Sequence, residues 1–159
     1  MIRLIQSEIW KLKRYSVIWI GIATMLSVVL LTCFMEIGTP GETTFSSFSD
    51  NVIWNNFSLI FPATIVLIAG YIIERERTDD TLKNLATIPV SFKRLLVGKI
   101  IVCGMIAIFL AIIEFLFTAI TSVILGYCEI TFFIMIKALL QMVGMNCFVF
   151  IAVLPIIIF

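Results

Sequence analysis

The run Ser16–Met35, SVIWIGIATMLSVVLLTCFM, contains no charged side chain. A helix needs about 20 apolar residues to cross the ~30 Å hydrocarbon core of a bilayer, and this run supplies one such span. Phe57–Ile73 is a second charge-free run. From Ile100 to Phe159 only Glu114, Glu129 and Lys137 are charged. That stretch is long enough for two further spans, with Gly126–Tyr127–Cys128–Glu129 as the turn between them. The 62% hydrophobic content is therefore concentrated in long runs, and it exceeds the roughly 45–50% usual for soluble domains. A cleaved signal peptide would need a shorter apolar stretch ending in a small-residue site, whereas this run ends in Thr32–Cys33–Phe34–Met35. The expected fold is an all-α membrane protein, a polytopic helical bundle with about four transmembrane helices in one domain, 1–159.

Charge sets the expected orientation. Ten of the eleven Lys and Arg residues fall in two places, Arg3 to Arg14 and Arg75 to Lys99, while 36–56 carries Glu36, Glu42 and Asp50 and no base. Short loops rich in Lys and Arg stay cytoplasmic. The expected order is a cytoplasmic N-terminus, a first span at 16–35, an extracellular loop at 36–56 and a second span at 57–73. A cytoplasmic loop at 74–99 follows, then spans at 100–125 and 131–159. The localisation this implies is a multi-pass protein of the cell (plasma) membrane, with the lipid bilayer as its first partner.

Smaller patterns fill in this outline. Ile2, Ile5, Ile9 and Leu12 form an apolar stripe at helical spacing, so 1–14 reads as a basic amphipathic helix lying in the interface. Gly38, Pro40, Gly41 and the Ser/Thr-rich residues after them make 36–56 mostly loop, with Phe45, Phe48 and Trp54 resting on the membrane surface. Pro62 is expected in the first turns of the second span, where a missing backbone donor costs least. The segment 74–99 is far longer than the 2–8 residues that usually join helices in bundles. In it, Thr78 or Asp79 can cap a short helix over Asp80–Thr87 with Leu82 and Leu85 on one side; Pro89 ends it, and Ser91 can cap the helix leading into the third span.

The third span carries Gly104, Ala107, Ala111, Glu114, Thr118 and Thr121 on one seam, small and polar among Ile, Leu, Phe and Met. The fourth places Lys137, Gln141 and Gly144 on one face. A charge at mid-bilayer costs about 2.5–3.5 kcal/mol on insertion scales. Glu114 and Lys137 are therefore expected inside the bundle and, from their depths, near one another. Cys33, Cys103, Cys128 and Cys147 match no metal spacing, and the chain has no histidine. With no H-E-x-x-H and no G-x-x-x-x-G-K-[ST], neither a metalloenzyme nor a nucleotide-binding enzyme is expected. No cofactor, metal or nucleic-acid partner is expected either.

In sequence order, Glu76, Thr81, Leu85, the corner Pro89–Val90–Ser91 and Lys99 follow a basic amphipathic N-terminus and two spans. This arrangement resembles the ABC-2 type transporter permeases, and within them the small permeases that protect bacteria against lantibiotics or bacitracin. The resemblance covers the whole chain in topology and about 25 residues in detail. It implies that 74–99 is a coupling loop seated in a cleft of a separate ABC ATPase subunit, with Glu76, Arg77, Thr81, Leu82, Leu85 and Pro89 at the contact. It also implies a second permease copy or related permease as partner, and export of a peptide antibiotic or other amphiphile. Two departures stand out: Asp79–Asp80 replaces the Gly often found before the Thr, and six spans are usual, so the chain resembles a truncated six-helix permease. The competing reading is a membrane immunity or assembly protein that binds a partner without ATP.

The topology is tested by cysteine labelling in a background lacking native cysteines. Ser47→Cys is expected to react with an impermeant reagent in intact cells, and Asn84→Cys only after permeabilisation. Reaction of Asn84→Cys from outside would reverse the orientation.

Overall fold

The computed structural model describes residues 17–37, 44–78, 92–127 and 130–158, the side chains of 37, 73–78, 92–95 and 158 excepted. The amphipathic stripe expected at 1–14 lies outside them. Five α-helices are described: α1 (Val17–Ile37), α2 (Phe45–Asn55), α3 (Phe61–Thr78), α4 (Phe92–Leu125) and α5 (Phe132–Ile158). A π-helical turn, Asn56–Ile60, joins α2 to α3 without a break. Among the described residues four helical stretches are long and apolar enough to cross a bilayer: Val17–Glu36, Phe45–Ile72, Leu96–Leu125 and Phe132–Ile157.

The second stretch differs from expectation. Residues 45–55 are helical, and they prolong the second span toward Thr44. Thr44 caps α2 by accepting the backbone N–H of Ser47 at 3.3 Å. Phe45, Phe48, Ser49, Val52 and Ile53 are buried at spacings of three and four, so this helix lays an apolar face on the bundle. Phe45 and Phe48 are fully enclosed, whereas Trp54 is exposed. Ser46 and Ser47, which resemble loop composition, sit off the buried face of the same helix.

Prolonging the helix moves Pro62 from a helix start to an interior position. Proline lacks an N–H, and in a regular α-helix its ring collides with the carbonyl four residues back, here that of Ser58. The π turn sits immediately before it. The Phe61 N–H reaches back to the carbonyl of Asn56, the wider i→i+5 closure. The added width accommodates the proline and turns Asn56 into the bundle, where it is buried.

Hydroxyl groups within the spans bond their own helices. Thr32 Oγ1 donates to the Val28 carbonyl at 2.9 Å, Thr64 Oγ1 to Ile60 at 2.7 Å and Ser122 Oγ to Thr118 at 2.7 Å. With no water available in hydrocarbon, this local back-bonding is the nearest acceptor. At the end of α4 the Tyr127 N–H bonds the Ser122 carbonyl and the Gly126 N–H bonds that of Val123. This is a Schellman closure, with Gly126 at φ 69° as its left-handed residue.

The helices pack α4 against α1 and α5, and α3 against α5 and α1. Two apolar clusters result. One gathers Met25, Phe61, Ile65, Ile68, Leu110 and Phe150 toward the Val17 end; the other gathers Val28, Val29, Phe48, Val52 and Met142 toward the Tyr127 end. Outward positions such as Trp19, Phe34, Leu67, Ile124 and Phe132 are exposed and apolar, as lipid-facing surface requires.

Gly21 marks a close approach of α1 to its neighbours. A Cβ there would lie 3.0 Å from Leu110 Cδ2 and 3.2 Å from Ile68 Cδ1, while one on Gly144 would meet nothing within 4 Å. Gly21→Val is expected to destabilise by about 1–3 kcal/mol through overpacking, and Gly144→Ala to leave thermal unfolding in nanodiscs unchanged or slightly raised. Equal losses in the two variants would contradict this packing.

Candidate functional site

Glu114 sits on α4, about 16 Å from the Leu125 end of its span at ~1.5 Å per residue, which is close to mid-bilayer. It is 1% exposed. An ionisable side chain so placed is costly and has to be matched by neighbours. Its neighbours are amides. Asn146 of α5 donates from Nδ2 to Glu114 Oε2 at 3.0 Å. Asn56, delivered by the π turn, donates from Nδ2 toward Asn146 Oδ1 at 3.4 Å and also approaches Met25 Sδ at 3.9 Å. The Asn56 side chain lies against the Glu114 carboxyl as well. All three residues are buried. They tie the second, third and fourth spans together, and they form a polar layer between the two apolar clusters.

The layer continues toward the Tyr127 end along one face of α4. Thr118 and Ser122 follow Glu114 at intervals of four and are fully buried. Thr118 Oγ1 donates to the Glu114 carbonyl at 2.8 Å. On the facing elements Asn55 Nδ2 donates to Thr32 Oγ1 at 2.9 Å. At the end of the bundle Glu36 of α1 accepts from Asn51 Nδ2 at 2.8 Å and from the Tyr127 hydroxyl at 3.1 Å. This clips α1 to α2 and to the close of α4. The opposite direction along α4 is apolar, through Ala111, Leu110, Ala107 and Ile106, all buried.

The seam expected on α4 is buried at Ala107, Ala111, Glu114 and Thr118. Gly104 meets the ring of Phe150, 3.2 Å from where its Cβ would be. Lys137 and Gln141 are placed differently from expectation. Both are exposed, as is Gly144, and Lys137 does not reach Glu114. Depth alone suggested the pairing, but direction around the helix decides it. Lys137 and Asn146 are ~2.5 turns apart and so point to opposite sides of α5. The buried side is Ala138, Met142, Asn146, Val149 and Val153.

Lys99, expected where the 74–99 segment runs as a helix into the third span, has a structural place there. It is buried inside the continuous helix α4, and its Nζ donates to the Ile72 carbonyl at 3.1 Å. The second and third spans are thereby joined where they leave the apolar layer. Of the residues expected at a coupling contact, Thr81, Leu82, Leu85 and Pro89 lie outside the described residues. Glu76 and Arg77 fall in the last turns of α3, where only the backbone is described.

Residues 4–159 match the model of a family described as ABC-2 family transporter protein. The chain belongs to the ABC-2 transporter family. No curated protein and no solved structure matches it. As an ABC-2 permease it is a membrane subunit of a transport system and not itself a catalyst, and the family as a whole works with ABC ATPases.

Asn56 and Asn146 were not singled out from the sequence of this permease. The available signal was weak: the pair Asn55–Asn56 within WNNFSLIFP and the single amide Asn146 within MVGMNCFVF, both in apolar settings. The geometry is tested by coupling. Glu114→Ala and Asn146→Ala are expected to be non-additive by 0.5 kcal/mol or more on the ~0.5–3 kcal/mol scale of contacting pairs. Glu114→Ala and Lys137→Met are expected to add within about 0.5 kcal/mol. Thermal or denaturant unfolding in nanodiscs measures both cycles, and strong coupling to Lys137 would overturn the assignment.

Proposed function

We propose that this ABC-2 permease is the membrane-spanning half of an exporter whose energy comes from a separate ABC ATPase subunit. The cargo on this reading is a peptide antibiotic or another amphiphile, expelled from the cell membrane, and the N-terminus is cytoplasmic. Family membership is the observation that carries the reading. The Lys and Arg distribution and the resemblance to lantibiotic- and bacitracin-protective permeases support its finer parts.

The ends of α3 and α4 that flank residues 79–91 fit this role. α3 continues to Thr78 through the charged run Glu74–Arg77, and α4 begins at Phe92, ahead of Lys93 and Arg94. Charges at these two ends favour their lying beyond the hydrocarbon, on the side where Lys99 bonds the Ile72 carbonyl. Those ends carry Glu74, Arg75, Glu76, Arg77, Lys93 and Arg94 toward the aqueous phase. A connection held between two such stalks can press on both spans at once. On this reading Leu82 and Leu85 enter the ATPase, and the charges around them orient the encounter.

A second permease copy or a related permease is the other partner. Gln141 lies ~14 Å from the Phe132 end of its span and is exposed, too deep for an amide to reach the interface. A neighbouring helix against the Lys137–Gln141–Gly144 face would satisfy it, with Gly144 permitting close approach.

Leu85→Asp tests the coupling role. It alters no span and no basic residue, so membrane insertion is expected to be unchanged. ATPase co-purification and transport are expected to fall at least tenfold, the loss of one well-packed anchor of about 2 kcal/mol. Lys83→Ala is expected to change them little. Normal ATPase association and transport by Leu85→Asp would leave 74–99 as a linker that only sets topology.

A further inference from the structure

The second span carries three bend-promoting features close together. Pro62 brings no N–H to the helix, and the Phe61 N–H closes the wide turn onto the Asn56 carbonyl. The Asn56 N–H is itself shared between the carbonyls of Val52 and Ile53. Hydroxyls bracket the turn: Ser58 Oγ donates to the Trp54 carbonyl at 2.7 Å and Thr64 Oγ1 to that of Ile60 at 2.7 Å. Proline, π turns and back-bonding hydroxyls each bend helices. Here all three coincide.

The two arms beyond the turn are held differently. α3 places Phe61, Ile65, Ile68 and Ala69 in the larger apolar cluster, and its Ile72 carbonyl accepts from Lys99. α2 lies against α1 and α5, and more lightly against α4. Among the described residues α1 and α5 do not pack on each other, so α2 fills the space between them toward the Tyr127 end. Two side-chain hydrogen bonds tie α2 to α1, from Asn51 Nδ2 to Glu36 at 2.8 Å and from Asn55 Nδ2 to Thr32 at 2.9 Å. Phe48 rests on the Tyr127 ring with centroids 5.2 Å apart. The remaining hold is apolar, through Phe48, Val52 and Ile53 in one cluster with Val28, Val29 and Met142. Within a bilayer such packing has no hydrophobic driving force, because a displaced α2 meets lipid tails that are equally apolar. Its docked position therefore depends on close fit and a few polar bonds, one of them at exposed Asn51.

We propose that α2 is a hinged arm: residues 45–55 swing as a unit about the π turn, away from α1 and α5, while α3 keeps its place. The Asn51–Glu36 and Asn55–Thr32 bonds are the latch, and Asn56 sits at the pivot. Ser47 lies ~16 Å from the middle of the turn at ~1.5 Å per residue. A bend of about 20°, the scale of a sharp helix kink, carries it ~6 Å. That opens a cleft between α1 and α5 toward the Tyr127 end, lined by Val28, Val29, Thr32 and Met142.

Double electron–electron resonance on the full chain in nanodiscs tests the hinge, with nitroxides on introduced cysteines in a background lacking native ones. The moving pair is Ser47→Cys with Ile124→Cys, and the reference pair is Leu67→Cys with Ile124→Cys, all three positions being exposed. The reference pair is expected to give one narrow distance. The moving pair is expected to show a second component displaced by ~6 Å, and Asn51→Ala with Asn55→Ala to make that component the major one. If the double variant cannot be purified, Asn51→Ala alone is expected to enlarge it. A short bis-thiol clamp between Glu36→Cys and Asn51→Cys, in place of the latch, is expected to abolish it. The measurement needs neither ATPase nor cargo, so it stands apart from the exporter reading. A moving pair as narrow as the reference pair with the latch removed would overturn the proposal. So would equal broadening of both pairs, which would mean that the second span moves whole.

Discussion

In hydrocarbon no water is present to complete a hydrogen bond, so every polar atom in the bundle has to find its partner in the protein. The rest of this structure depends on that constraint. It places serine and threonine hydroxyls on the carbonyls of their own helices, and it draws the two amides of Asn56 and Asn146 onto Glu114 at mid-bilayer. The polar layer in turn fixes how the spans are rotated. Asn146 must face α4, and its position on α5 turns Lys137 and Gln141 outward. Asn56 must face inward, and the π turn before Pro62 brings it there. A regular α-helix through 56–62 would both collide with the proline ring and point the amide elsewhere.

The apolar clusters on either side of the layer serve a different purpose. Lipid tails are as apolar as leucine, so burying Ile65 or Val52 against other helices gains little from the hydrophobic effect alone. Close packing and interhelical hydrogen bonds supply the specificity instead. Gly21 lets α1 approach Leu110 and Ile68, and Gly104 receives the ring of Phe150. Glu36 adds a clip at one end, bonded to Asn51 and Tyr127, and Lys99 adds one at the other, bonded to the Ile72 carbonyl. The bundle is thus held at both ends and in the middle by polar contacts, with shape-matched apolar packing between them.

Much of the fold was legible in the sequence because charge-free runs of about 20 residues admit few other structures. The seam on α4 was legible for a related reason: small and polar residues at spacings of three and four stand out against Ile, Leu and Phe. The prolonged second span was not. Its first part, FSSFSDNVIWN, has the serine content of a loop, and only the recurrence of Phe45, Phe48, Val52 and Ile53 reveals a helix with one buried face. The Glu114–Lys137 pairing failed because rise per residue gives depth but not direction. Opposite charges at compatible depths attract attention, while the amide that meets Glu114 carries no charge and is easily passed over. The coupling contact at Thr81, Leu82, Leu85 and Pro89 rests on resemblance, and its geometry lies outside the described residues.

The polar layer and the Lys99 contact stand at two levels of the same helix. α4 runs unbroken from Phe92 to Leu125, with Lys99 joined to α3 near one end and Glu114 joined to α5 and the π turn further along. A displacement applied at Phe92 would reach Glu114 through one rigid rod, since no proline interrupts it and its glycines are helical. α3 differs, because its path toward Thr44 passes through Pro62 and the π turn, the place where an α-helix bends most readily. On the proposed reading, a motor pressing on 74–99 would move α4 as a unit and flex the second span at the turn that carries Asn56. The two helices would then separate their contributions to the polar layer, Glu114 from one and Asn56 from the other. Asn146, bonded to both, is the residue on which the two movements converge.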